Sequence, residues 1–147
     1  MTEEAGRKYL IFTLPGHRYA VDLAQVAEVD EPPTLWPIPG APPSYPGAMN
    51  FHGSIVAVMD LTAFVGLPAG RPAEKVIVLA PAIASLALLV ERVEQIVPAS
   101  RVRAGATDQA QDAPFSHHPL HLADGTSALL LDVDELVRAA TEAMAAL

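Results

Sequence analysis

Five of the six positions at residues 9–14 are apolar (Tyr9, Leu10, Ile11, Phe12 and Leu14), and the run closes on Pro15-Gly16. The pattern resumes over 18–22 around Tyr19 and Val21. Together these predict a β-hairpin with a Pro-Gly turn. Asp22 is placed to cap one helical turn through Gln25. Over 26–31, Ala27 and Val29 alternate with Glu28 and Asp30, which predicts a half-exposed strand. Further strands are predicted at 48–52 and 54–60, on either side of Gly53. Residues 55–59 are apolar at every position and are expected to be buried on both faces. Asp60 should cap a short helix carrying Leu61, Phe64 and Val65.

The second half continues in the same way. Residues 75–79, 86–90 and 93–97 predict three strands. The stretch 104–111 is small and polar and is expected to be mobile. Leu120 and Leu122 precede Asp124-Gly125, a strong hairpin signal, and 127–131 returns. Residues 133–147 predict a helix with Val133, Leu136, Val137, Ala140, Met144 and Leu147 on one face. Asp132, Asp134 and Glu135 stand at its N-terminus, where the helix dipole favours acids. Many short strands and little helix before the end predict a mainly β fold of small barrels or a sandwich.

Seven of the 14 prolines fall within residues 32–46. Such a stretch is stiff and extended. As an interdomain linker it would strand Leu35, Trp36 and Ile38 in solvent, so it is expected to pack over the domain. The chain is 147 residues long, one domain's worth, with 51% hydrophobic and 18% charged residues. The formal net charge of −8 argues against nucleic acid and against anionic lipid as partners. There is no Cys, so disulfides and thiolate metal sites are excluded. The start, Met1-Thr2-Glu3-Glu4, is unlike a signal peptide, and no apolar run is long enough to span a membrane. The expectation is a cytoplasmic protein with no direct membrane insertion. Residues 1–7 are expected to be a tail and 8–147 a single domain.

Candidate chemistry is sparse. His117, His118 and His121 flank Pro119, which favours an extended chain. At ~3.3 Å per residue, His117 and His121 would stand about 13 Å apart, too far to share a metal. They are expected to be exposed loop histidines, and no metal or cofactor is expected. Glu28 and Asp30 share a predicted strand face, but nothing around them demands an acid–base site. Arg92, Arg101 and Arg103 could form a small basic patch.

The order of the motifs carries more information than any one of them. Tyr9-Leu10-Ile11-Phe12-Thr13-Leu14, Tyr19-Ala20-Val21-Asp22, Val26-Ala27-Glu28-Val29, Pro39-Gly40-Ala41-Pro42, Gly47, Asn50-Phe51-His52-Gly53 and Val58-Met59-Asp60-Leu61 follow in sequence. Then come Val76-Ile77-Val78, Leu88-Leu89-Val90-Glu91, Val93-Glu94-Gln95-Ile96 and Leu130-Leu131-Asp132. This succession resembles the CheW family of bacterial chemotaxis coupling proteins over nearly the whole chain.

The resemblance implies two small five-stranded SH3-like β-barrels, a groove between them and a C-terminal helix. It implies a non-enzymatic adaptor that couples methyl-accepting chemotaxis receptors to the regulatory domain of a CheA-type histidine kinase. The protein would then be recruited to membrane receptor arrays. By resemblance, Val26 and Glu28 match the partner-facing strand. Gly47, Asn50 and Gly53 match a turn motif, and Glu91 and Val93 lie near the receptor groove. The family's Asn-x-Arg-Gly reads with His52 here, and its Gly-x-x-Val-Asp reads Ala87-Leu88-Leu89-Val90-Glu91. His52 is expected either to face a receptor carboxylate, with binding that strengthens as pH falls, or to cap the turn before Gly53. The alternatives are a scaffold of a surface-motility array and, from a different class, a small-ligand-binding barrel that uses the groove around Trp36.

Overall fold

The computed structural model describes residues 6–105 and 115–145. Its first strands, β1 (Lys8–Leu14) and β2 (His17–Asp22), form the predicted hairpin. Asp22 then caps a 3-10 turn, Leu23–Gln25, by accepting the Ala24 N–H at 3.0 Å. Next come β3 (Val26–Asp30), β4 (Gly47–Phe51) and β5 (Ser54–Asp60). The short helix α1 (Leu61–Phe64) is capped by Asp60, as its sequence predicts. Strands β6 (Lys75–Leu79), β7 (Leu86–Val90), β8 (Arg92–Pro98), β9 (Val102–Ala104), β10 (Ser116–Leu122) and β11 (Ser127–Leu131) follow. Helix α2 (Val133–Ala145) ends the described chain. From residue 106 onward, the stretch expected to be mobile lies outside the described residues. Ala104 itself ends β9.

These strands make two sheets, in the orders β8-β1-β2-β11-β10-β9 and β3-β6-β7-β5-β4. The first has six strands where five were expected, because the turn Ala99–Arg101 divides its last stretch into β8 and β9. Those two strands lie at opposite ends of the sheet, yet three residues join them. So short a connection brings the edges together and curls the sheet into a barrel. The chain crosses from the first barrel to the second through Leu23–Gln25 and returns through Glu91 alone.

Strand periodicity divides the apolar residues among three cores. On β1, Tyr9 and Ile11 fill the first barrel with Leu120, Leu122 and Ala128. On β6, Val76 and Val78 fill the second with Met49, Val56, Val58 and Ala87. The opposite faces of the same strands meet between the barrels, where Leu10, Phe12, Leu14, Ile77, Leu79 and Leu88 form the largest core. Burial of each such side chain contributes about 1.5–3 kcal/mol. Both strands are therefore buried on both faces, and their sequences are nearly continuous apolar runs. Helix α2 closes this central core with Val133, Leu136 and Ala140. Of the face predicted for it, Leu147 lies outside the described residues.

Two expectations need correction. Residues 55–59 are not buried on both faces: Val56, Val58 and Met59 are, but Ile55 is 80% exposed. Ile55 pairs with Asn50 directly after the hairpin turn, beyond the point where the central core covers that face. The proline-rich segment does pack on the domain, through half-buried Leu35 and buried Tyr45. Trp36, however, remains 58% exposed. Its backbone is the part that docks: Trp36 N–H donates to the Ala48 carbonyl at 2.9 Å and its carbonyl accepts the Ala48 N–H at 2.8 Å. That bridge covers the outer edge of β4, which would otherwise be open for pairing.

Candidate partner-binding surface

The two sheets each end in a strand that borders the central core. β3 is the terminal strand of the second sheet and β8 that of the first. Each has a register irregularity. In β3 it falls between Val26 and Glu28, so Val26 pairs with Leu79 and Val29 with Ile77. Leu79 and Ile77 both face the central core, and Val26 and Val29 pack against it. In the β1–β8 pairing the irregularity falls between Ile11 and Phe12, so Val93 pairs with Phe12 and Ile96 with Leu10. Phe12 and Leu10 also belong to the central core. Each edge strand thus sends two apolar side chains, three residues apart, to the face over the joint between the barrels. Strict alternation would have sent residues two apart.

The expected surface residues divide accordingly. Val26 and Val93 are half-buried and rest on the central core. Ile96, 52% exposed, joins them and was missed. Its signal in the sequence is the i, i+3 spacing from Val93, which indicates a bulge in a strand of period two. Ile55 was missed for another reason: it is the first apolar residue after a hairpin turn, and its neighbours on the run are core.

Glu28 and Asp30 pair with Val78 and Val76, on the face toward the second barrel's own core. There Glu28 Oε1 meets His52 Nε2 at 3.5 Å, across the barrel's mouth. His52 and Gly53 form the tight β4–β5 turn, with φ of +49° and +88°. That double left-handed geometry matches a two-residue hairpin turn, and glycine suits its second position. The cap expected of His52 is made by Asn50 instead, whose Oδ1 accepts the Gly53 N–H at 2.9 Å. The His52 ring is therefore free of that task. It stands 73% exposed and packs edge-on against Phe51, with centroids 4.4 Å apart.

Gly47 is buried and offers no contact surface. A Cβ there would lie 2.6 Å from the Trp36 carbonyl oxygen, so glycine is needed for the proline-rich segment to approach. Glu91 is half-buried at the return crossing. Its Oε1 accepts the Thr13 hydroxyl at 2.9 Å and its N–H donates to the Thr13 carbonyl at 3.0 Å.

The charges along these edges are largely paired. Arg18 holds Glu94 at 2.7 Å, Lys75 holds Glu31 at 2.7 Å, and Arg92 lies 4.0 Å from Glu74. The Lys75 ammonium is held above its ordinary value, first by its hydrogen bond to Glu31. The histidines expected in a loop lie instead on β10, because the apolar Pro119, Leu120 and Leu122 pair that segment into the first sheet. His117 Nε2 meets Asp132 Oδ2 at 3.4 Å, while Asp132 Oδ1 caps α2 through the Glu135 N–H at 3.0 Å. Among the described residues, no three His, Asp or Glu side chains group as a metal site. Among the described residues, both barrel interiors are filled by their own side chains.

A pair of filled barrels with apolar edge strands beside their joint defines a binding module. Comparison with known proteins gives its family: residues 8–141 match the CheW-like domain, and the chain belongs to that family. It is 26% identical over 97 residues to the chemotaxis protein CheW of Rhizobium meliloti (strain 1021), covering 65% of this chain and 63% of the relative. It is 31% identical over 70 residues to the chemotaxis protein CheW of Bacillus subtilis (strain 168), covering 46% of this chain and 45% of the relative. Both alignments span less than two thirds of those relatives. The fold matches the crystal structure of the scaffolding protein TtCheW from Thermoanaerobacter tengcongensis, with a TM-score of 0.69 at 22% identity. That match covers 86% of this chain and 88% of the other, and it gives the fold as two SH3-like subdomains.

Proposed function

We propose that this chain is a non-enzymatic adaptor that couples chemoreceptors to a CheA-type histidine kinase, with residues 8–147 acting as one unit. The reading places it at the cytoplasmic face of receptor arrays. The observation that carries it is the pair of bulged edge strands, which display Val26 and Val29 on one side and Val93 and Ile96 on the other. Apolar side chains on a rigid frame, rimmed by charges, suit a protein partner. Membership of the CheW-like family and the likeness to chemotaxis proteins of two bacteria support the choice of partner. Among the described residues no helix is long and apolar enough to cross a membrane.

In this reading β3, with Glu28 at its centre, faces the kinase regulatory domain, and Glu91 and Val93 border the receptor site. Calorimetric titration of the chain with the regulatory domain and with a receptor signalling tip tests both contacts. Glu28→Lys should abolish kinase binding and leave the thermal midpoint in place. Ile96→Asp should weaken receptor binding selectively. Full affinity for both partners in both variants would overturn this assignment of surfaces.

A further inference from the structure

Among the described residues, Lys8, Arg71, Arg101 and Arg103 are the Lys and Arg side chains that stand in no ion pair. All but Arg71 lie around one turn. Lys8 opens β1 and pairs with Pro98 at the end of β8. The turn Ala99–Arg101 follows at once. It is held to the start of β1 by the Ala99 N–H, which donates to the Arg7 carbonyl at 2.8 Å. The Arg7 side chain is engaged with Asp22 at 3.4 Å, whereas Lys8 and Arg101 are exposed. The basic patch expected from Arg92, Arg101 and Arg103 is thus rearranged. Arg92 stands beside Glu74, Arg103 lies further along opposite His121, and Lys8 joins Arg101.

This patch adjoins the apolar edge of the first barrel. In the β1–β8 register Leu10 faces Ile96 and Lys8 faces Pro98, so Lys8 is the diagonal neighbour of Ile96 on one face of the sheet. Such neighbours stand about 7–8 Å apart. Ile96 is 52% exposed, and Val93 precedes it by about 10 Å, at ~3.3 Å per residue. At the Val93 end the charges are matched: Arg18 holds Glu94, and Arg92 stands beside Glu74. The edge therefore runs from a neutralised end to a cationic one.

We propose that Lys8 and Arg101 receive carboxylates of a receptor segment docked on Val93 and Ile96, and so set the direction in which it lies. This rests on β8 being the receptor-facing strand. The segment carries an apolar side chain over Ile96 and an acidic one about 7–8 Å beyond it. On a chain of net charge −8, an acidic segment is repelled over most of the surface. Two unpaired cations at one end of the apolar edge then decide its orientation. A reversed segment would set its carboxylates against Glu94 and Glu74, which already have their cations.

The test is calorimetric titration of the full chain with the cytoplasmic signalling-tip fragment of a chemoreceptor. At low salt, Lys8→Gln and Arg101→Gln should each weaken binding about two- to fivefold, the range of an exposed pair. Near 1 M salt, where the Debye length falls to about 3 Å, the loss should shrink below about twofold. Arg138→Gln removes the same charge from α2 and should leave the affinity unchanged. Changing the fragment's Asp and Glu residues one at a time to Asn and Gln supplies the partner side. At least one change should cost the natural chain about two- to fivefold and the Lys8→Gln/Arg101→Gln double variant nothing.

Unchanged affinity in the double variant, while Ile96→Ser weakens binding, overturns the proposal and keeps the docking strand. Unchanged affinity in Ile96→Ser overturns the docking strand itself, and the proposal with it. Phosphatidylglycerol vesicles are the remaining arm. If they bind the natural chain but not the double variant, with receptor affinity equal in the two, the patch belongs to lipid headgroups and the proposal is overturned.

Discussion

Thr13 holds Glu91 twice, donating its hydroxyl to the carboxylate at 2.9 Å and accepting the Glu91 N–H on its carbonyl at 3.0 Å. Thr13 belongs to β1 of the first barrel, and Glu91 is the one residue between β7 of the second barrel and β8 of the first. The pair therefore fixes the angle at which the chain returns. Thr13→Val keeps the shape of the side chain but removes the donor. It should cost about 0.5–1.5 kcal/mol, the net worth of one partly buried hydrogen bond. Thr13→Ser should recover most of that loss. Denaturant midpoints check the energies, and amide exchange at Glu91 should rise only in the Val variant.

Val26 and Glu28 are neighbours in sequence on the same face of an ideal strand, yet the bulge between them separates their roles. Val26 leans on the central core and Glu28 faces the second barrel's mouth. Val26→Arg should therefore lower stability by about 1–3 kcal/mol, through loss of packing and burial of a charge. Glu28→Lys should change it by less than about 0.5 kcal/mol, as exposed substitutions do. Chemical denaturation of both variants decides this. Equal stability in the two would mean that Val26 makes no use of the core.

Much of this was legible from local chemistry. The Pro15-Gly16 and Asp124-Gly125 turns, the caps of Asp22 and Asp60, and the apolar face of α2 all depend on residues close in sequence. What was not legible depends on contacts between distant segments. Nothing near Ile96 says that it opposes Leu10, and nothing near Trp36 says that its backbone will bridge Ala48. A bulge also inverts the faces assigned by alternation, as it does for Val26. The candidate surface was legible as a set of positions through resemblance. The separation of buried structural members such as Gly47 from half-exposed ones such as Glu28 required the fold.

Gly47 illustrates that separation. An added methyl group would meet the Trp36 carbonyl oxygen at 2.6 Å and the Leu35 Cβ at 3.1 Å. One is backbone and neither lies at the end of a flexible side chain. Gly47→Ala should therefore displace the proline-rich segment and cost about 1–3 kcal/mol, the usual range for overpacking. Trp36 fluorescence should report the displacement. Normal stability with reduced partner binding would instead show that the position acts by direct contact.

Tyr19 and Tyr45 are both buried in the central core, but only Tyr45 has a bond there, from its hydroxyl to the Ala140 carbonyl at 3.2 Å. Among the described residues the Tyr19 hydroxyl makes no hydrogen bond, although its ring stacks on Phe12 at 5.6 Å. Tyr19→Phe should accordingly preserve or raise stability at pH 7, by up to about 1–2 kcal/mol, because it removes an unsatisfied buried polar group. Tyr45→Phe should cost about 0.5–1.5 kcal/mol for the lost bond. Burial pushes both phenols up from their ordinary value. In the unfolded chain a phenol ionises near pH 10, so above that value the unfolded state binds fewer protons than the folded one. Stability held below about pH 10 is then lost as pH rises toward the folded values. Each variant should make that decline shallower, while the two differ in sign at pH 7. Urea unfolding at pH 7 and between pH 10 and 11 measures both effects. A Tyr19→Phe variant that is less stable at pH 7 would show that the hydroxyl has a partner in solution.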